Sequence, residues 1–177
     1  YAVQRAFVEI VQSAREVEKV LKDINVIANL TSANLSKFGD TLFDIAKATA
    51  QTFDVVGKAA TEFMRQGLSI EETARRTRDA MILVRLTGMD AVNAVESLTA
   101  AMNTFSSATI NTTELINKMA NVDAAFAVSA KDLAEAIKRV GSSAQDAGLN
   151  IDQLMAMVTA AQQTTARGGA VIGNSLK

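Results

Sequence analysis

The sequence predicts an all-α protein, and three observations carry that reading. There is no proline in 177 residues. Apolar positions recur at helical spacing through residues 3–42. Beyond Gln66, glycines alternate with side chains suited to helix N-caps. Proline removes an interior helical hydrogen bond, while alanine and unbranched side chains lose little freedom in a helix. A chain without the first and rich in the second is predisposed to helix. The expected organisation is a helical arm over residues 1–66 and a compact bundle of short helices over 67–177.

The arm is read from a repeat. Val3, Phe7, Ile10, Ala14, Val17, Leu21, Ile24, Ala28, Thr31, Leu35, Phe38 and Leu42 follow alternating steps of four and three, and only Thr31 is polar. A 3.5-residue period keeps one seam on a supercoiling partner. Two steps of four then lead through Ala46 to Thr49, Phe53, Val56, Ala60 and Phe63, a stutter that unwinds a coiled coil locally. With Val3 at a d position, β-branched residues fill d and leucines fill much of a, which disfavours parallel dimers. Val11, Val20 and Ile27 widen the face further. The self-association seam expected here is Val3, Phe7, Ile10, Val17, Leu21, Ile24, Leu35, Phe38 and Leu42. The alternative is a hairpin within the chain. Residues 29–36 are poor in helix formers, and Gly39-Asp40 offers a stop and a new cap. One long amphipathic helix and a helix hairpin both fit the pattern.

Caps mark the bundle helices in order. Gly67 suits a left-handed C′ position and Leu68 its accompanying hydrophobic contact. Ser69 with Glu72 reads as a capping box. Asp90, Asn111 with Glu114, and Ser129 with Asp132 open further helices. Gly148-Leu149-Asn150-Ile151-Asp152-Gln153 repeats the first pattern, with Leu149 placed to staple on Leu154. Gly88 and Gly141 punctuate between helices. Each predicted helix carries one apolar stripe: Ile70, Ala74, Met81 and Val84; Val95, Leu98, Met102 and Phe105; Leu115, Met119, Val122 and Phe126; Leu133, Ile137 and Val140; Ile151, Leu154, Val158 and Ala161. One stripe per helix means that each must bury it on a neighbour. The glycine-rich Arg167–Gly173 lacks a preceding strand and the phosphate-loop pattern, so it reads as close helix packing or a turn into one more helix.

Composition narrows function. Histidine and cysteine are absent, which removes the common nucleophile–base pairs and leaves only serine–lysine or carboxylate mechanisms. No such constellation stands out, the paired Glu71 and Glu72 suiting a helix N-terminus instead. Residues 1–66 carry eight charges of each sign, and the whole chain 18 basic and 19 acidic residues. A nucleic-acid binder normally shows a basic stripe. The nearest candidate, Arg75, Arg76, Arg78 and Arg85, is interleaved with Glu71, Glu72 and Asp79 and reads as a solvated face. Apolar runs reach five residues, far short of the ~20 a bilayer span needs. There is no signal-peptide pattern. The missing initiator methionine and the helix-like last residues point to an excerpt from a longer polypeptide.

Several blocks in fixed order resemble the core domain of bacteriophage tail tape measure proteins. VESLTAAMNTFS (95–106) is similar to a family helix ending in Asn-x-Phe. SAKDLAEAIKRVG (129–141) resembles the family's Ser-x-x-[Glu/Asp]-Leu-Ala-Glu-Ala-x-[Lys/Arg]-x-x-Gly helix nearly residue for residue. Gly148–Asp152 resembles a Gly-Leu-Ser-x-Glu turn, and Arg167–Leu176 the family's glycine-containing close. The resemblance covers about two thirds of the chain and is strongest from Gly88. Ala108–Asn111 and Ser142-Ser143 depart from the pattern, at positions expected to be turns.

The resemblance implies a structural protein of the phage virion, in the tube lumen or tip of the tail, made in the host cytoplasm. Such a chain fixes tail length during assembly and leaves with or ahead of the DNA. It implies further copies of the chain and tail tube and tail tip or baseplate proteins as partners, and no cofactor or metal; the arm's seam sets the expected copy number at three or more, and the charge pattern argues against specific nucleic-acid binding. A helical component of a phage-derived bacterial injection or toxin system would share this composition and is the alternative.

Overall fold

A computed structural model describes the backbone of residues 2–105 and 110–177, and side chains from Ser13 onward. Among the described residues there are nine α-helices and no strand: α1 (Ala2–Ala28), α2 (Ser32–Thr49), α3 (Phe53–Arg65), α4 (Ile70–Thr87), α5 (Ala91–Phe105), α6 (Thr112–Ala125), α7 (Ala130–Asp146), α8 (Ile151–Thr165) and α9 (Gly169–Ser175). The all-α class is as the sequence predicts. The chain divides into two compact units, residues 1–81 and 82–177.

In the first unit the arm is three helices, not one long coiled-coil helix. The first break falls at Asn29–Thr31. Asn29 takes a left-handed φ of 47°, and Asn25 Oδ1 accepts the Leu30 N–H at 2.7 Å. Thr31, the polar exception in the repeat, is the N-cap of α2; its hydroxyl accepts from Asn34 N at 3.3 Å. The second break replaces the expected stutter. Ala50 is left-handed at the end of α2, and Thr52 caps α3 through Val55 N. Gly39-Asp40 is not a stop: both residues lie inside α2, and Gly39 is buried where a Cβ would come 3.2 Å from Leu21 Cδ2. That glycine is needed for helix approach rather than for a turn.

α1 packs chiefly on α3, and α2 also packs on α3. The α1–α3 crossing is set by Gly57, where a Cβ would fall 2.1 Å from Val20 Cγ1. Ile24, Phe38, Leu42, Ile45, Val56 and Phe63 are buried, the core of this unit.

In the second unit α7 is the hub, packed against α5, α6, α8 and α9. Its buried side chains mix small and branched residues, Ala130, Ala134 and Ala136 with Leu133, Ile137 and Val140. Leu98, Leu115, Met119 and Leu154 close the core from the neighbouring helices. The expected caps are present. Asp90 accepts from Asn93 N, Asn111 from Glu114 N, Ser129 from Asp132 N, and Asn150 pairs reciprocally with Gln153. Gly67, Gly88 and Gly148 have φ of 79°, 67° and 80°, the left-handed turns that glycine adopts without strain.

Three readings of this region need correction. Gly141 does not punctuate; it lies inside α7, buried, facing Thr104 and Phe105 of α5. Ser142 and Ser143 are consequently helical rather than in a turn. Phe126 does not close the α6 stripe, because it is the extended C-cap residue and is 48% exposed. Ala108 and Thr109 lie outside the described residues.

Candidate interaction surfaces

Among the described residues no cluster of acidic side chains could hold a metal ion, and no helix is long and apolar enough to cross a membrane. The candidate site is therefore surface: which apolar and charged groups remain available after the helices have packed.

The expected seam is largely consumed inside the chain. Ile24 and Leu42 are fully buried and Phe38 nearly so, while Val17, Leu21 and Leu35 are half-buried. The side chains of Val3, Phe7, Ile10 and Val11 lie outside the described residues. Among the described side chains of α1, the large apolar ones left open are Val26 and Ile27, 78% and 37% exposed. Val26 falls outside the a and d positions, so the repeat gave no signal for it. Both line a groove of about 420 Å³ between α1 and α3. Its rim mixes Lys19, Asp23, Asp54, Lys58, Glu62 and Arg65. Within that set Lys58 binds Asp54 at 2.7 Å and Arg65 binds Glu62 at 2.5 Å, so much of the rim charge is already neutralised along α3.

A second groove, about 490 Å³, runs between α6 and α8 over Val122, Phe126, Met155, Ala156 and Ala160. The Lys118–Asp152 ion pair, 2.8 Å, joins the same two helices at its edge and raises the Lys118 pKa. Met155 is buried there, whereas Met157 is 42% exposed.

Two of the arginines of α4 are paired within the helix. Arg75 and Arg76 donate to Glu72 at 2.5 and 2.7 Å. Burial pushes the Glu72 carboxyl up, but the two guanidinium groups outweigh it and leave its pKa below the ordinary value. Ser69 still caps α4 through Glu72 N, so the box is half made: the Glu72 side chain is drawn down the helix to the arginines.

Asp132 is bonded by three different residues. Its Oδ1 accepts from Gly169 N at 2.7 Å, and its Oδ2 from Gln162 Nε2 at 2.7 Å and Ser129 Oγ at 2.8 Å. Burial raises its pKa, and the donors, Gly169 N–H foremost, lower it further to a net depression. The sequence shows Asp132 as the third residue of a capped helix. Its bonds to residues 30 and 37 positions later follow from the fold alone. Lys138 reaches across from α7 to Glu96 and Asn93 on α5.

Capped helices, partly neutralised charge and open apolar grooves leave these surfaces available for contact. The sequence profile of the family described as phage-related minor tail protein matches residues 43–177. That is well over half of the chain, and the chain belongs to this family of phage tail structural proteins, which places it in the virion tail. No solved structure matches it.

Proposed function

We propose that this chain is part of a tape measure protein, the member of the tail that occupies the tube lumen and sets its length during assembly. The single observation that supports this over another minor tail role is the ordered run of tape-measure-like blocks from Val95 to Leu176, inside the family match. A helix advances ~1.5 Å per residue, so a helical chain held extended in a tube converts residue count into length. Partners in this reading are tail tube and tail tip proteins and further copies of the chain, three or more together. Ile24, Phe38 and Leu42 are already covered within the chain, so among the described side chains of α1 Val26 and Ile27 are the large apolar ones open to such a copy. Sedimentation of this chain as a monomer at high concentration would remove the self-association clause alone.

In-frame deletions of helical residues outside 82–177 in the full parent gene test the ruler itself. Tails in electron micrographs should shorten by ~1.5 Å per residue removed. Unchanged tail length across the series refutes the tape measure role while leaving the family membership intact.

A further inference from the structure

The last helix is held by different means from the helix it rests on. α9 has seven residues, and isolated helices below ~12 residues are marginal in water, so its helicity depends on docking. It buries one large side chain, Ile172, while Val171 stays 47% exposed. Gly169 and Gly173 form the rest of its buried face. They permit close approach but contribute no side-chain area. A Cβ at Gly169 would fall 1.8 Å from the Asp132 carbonyl oxygen, and one at Gly173 3.1 Å from that of Ala136.

The N-terminus of α9 has no cap of its own. Gly168 makes no side-chain cap bond, and the Gly169 N–H goes instead to Asp132 on α7. α7, in contrast, is secured independently. Ser129 caps it, Asp123 accepts from Ala130 N at 3.0 Å, and Leu133, Ile137 and Val140 are buried. The link between α8 and α9 is short and exposed. Ala166 sits in the left-handed region at φ 53°, followed by exposed Arg167 and Gly168.

We propose that α9 is a clasp: it opens as one piece about Ala166–Gly168 while the other helices of residues 82–177 stay folded, and Asp132 is the positioning residue that keeps it shut. Opening uncovers the α7 backbone between Asp132 and Ala136, a strip that only a glycine-faced helix can approach this closely.

Hydrogen exchange on the full 177-residue chain decides it. In the wild type, amides of residues 170–176 should exchange together, about tenfold or more faster than those of 137–144. Asp132→Ala should speed the α9 amides by a further tenfold or so, the scale of one hydrogen bond to a charged group, with residues 137–144 changed less than about twofold. Asp132→Asn, which keeps a neutral acceptor, should fall between. Gly169→Ala, which cannot seat against the Asp132 carbonyl, should leave α9 fully exchanging and the remaining helices protected. Exchange of α9 in step with α7 in the wild type overturns the clasp. So does proportional opening of α7 in either Asp132→Ala or Gly169→Ala, failure of Asp132→Ala to fold, or an unchanged α9 in Gly169→Ala.

Discussion

In residues 1–81 the tightest contact at a glycine is with a side chain, whereas in residues 82–177 it is with a backbone. Gly57 of α3 faces the Val20 side chain, 2.1 Å from where a Cβ would be; Gly169 of α9 faces the Asp132 carbonyl at 1.8 Å. The two numbers are alike, and their consequences differ. A side chain can be trimmed to restore room, and a carbonyl cannot. The first contact is therefore a negotiable fit between two residues, and the second is an absolute requirement for glycine at one position.

The largest effect expected from this contrast is at Gly57. Gly57→Val should destabilise residues 1–81 by ~3 kcal/mol, the upper range for overpacking a filled site. Gly57→Ala should cost less, because alanine regains up to ~1 kcal/mol of helix propensity. The decisive measurement is a double-mutant cycle in denaturant unfolding with Val20→Ala. The pair Gly57→Ala/Val20→Ala should be more stable than the sum of the single losses by ~1 kcal/mol or more, as expected for residues in contact. Strict additivity would mean that Val20 does not limit the α1–α3 distance. For Gly169→Ala no substitution at position 132 should give rescue, since the clash is with the main chain.

The same contrast separates what the sequence could reveal from what it could not. Caps and left-handed glycines are local, so Ser129, Asn150, Gly67 and Gly148 were legible from neighbours three or four residues away. Glycines buried where helices pack are not local. Gly39 and Gly141 look like helix breakers in sequence, yet both are buried mid-helix because Leu21 in one case, and Thr104 with Phe105 in the other, lie across from them. The seam failed as one long helix for a related reason. Steps of four and three continue through Ala28, Thr31 and Leu35 although the chain turns between them, and periodicity cannot register a change of direction. The informative residue was Thr31, a cap candidate that the repeat absorbed as an exception. Of the candidate site, Ile24, Phe38 and Leu42 were found as apolar positions but their covering by the chain itself was not, and Val26 escaped because its exposure depends on where α3 packs.

A second, smaller difference lies in how each unit holds a depressed carboxylate, Glu72 in one and Asp132 in the other. Glu72 is held by two guanidinium groups, whereas the donors to Asp132 are mainly neutral, Gly169 N–H, Gln162 and Ser129. For both, the folded pKa is below the unfolded one. Their contribution to stability is thus complete above the ordinary carboxylate range, near pH 4, and is lost as pH falls through the depressed folded values. Salt should tell them apart. In 1 M salt the Debye length is ~3 Å, so the part of the acid-dependent loss due to Glu72 should shrink, while the part removed by Asp132→Asn should persist. Urea melts between pH 2 and 6 at low and high salt, with and without Asp132→Asn, measure both. An Asp132 share that vanished in salt would mean that charge, chiefly the neighbouring Lys131, holds that carboxylate instead of the neutral donors.

The smallest effects belong to two alanines in the left-handed region, one in each unit. Ala50 ends α2 at φ 54° and Ala166 ends α8 at φ 53°. A Cβ in that conformation costs ~1–2 kcal/mol, and glycine avoids it at the expense of greater freedom in the unfolded chain, ~0.4–1 kcal/mol. The net gain from Ala50→Gly or Ala166→Gly should therefore be positive and small, ~0.5 kcal/mol in equilibrium unfolding. The two should diverge in hydrogen exchange. Ala50→Gly strengthens the end of a helix whose face carries buried Phe38, Leu42 and Ile45, so α2 protection should hold or rise. Ala166→Gly loosens the link on which α9 turns, so α9 protection should fall even as global stability rises. Opposite signs in local and global stability at one residue are the signature of a hinge; parallel changes at Ala166 would make it an ordinary helix end like Ala50.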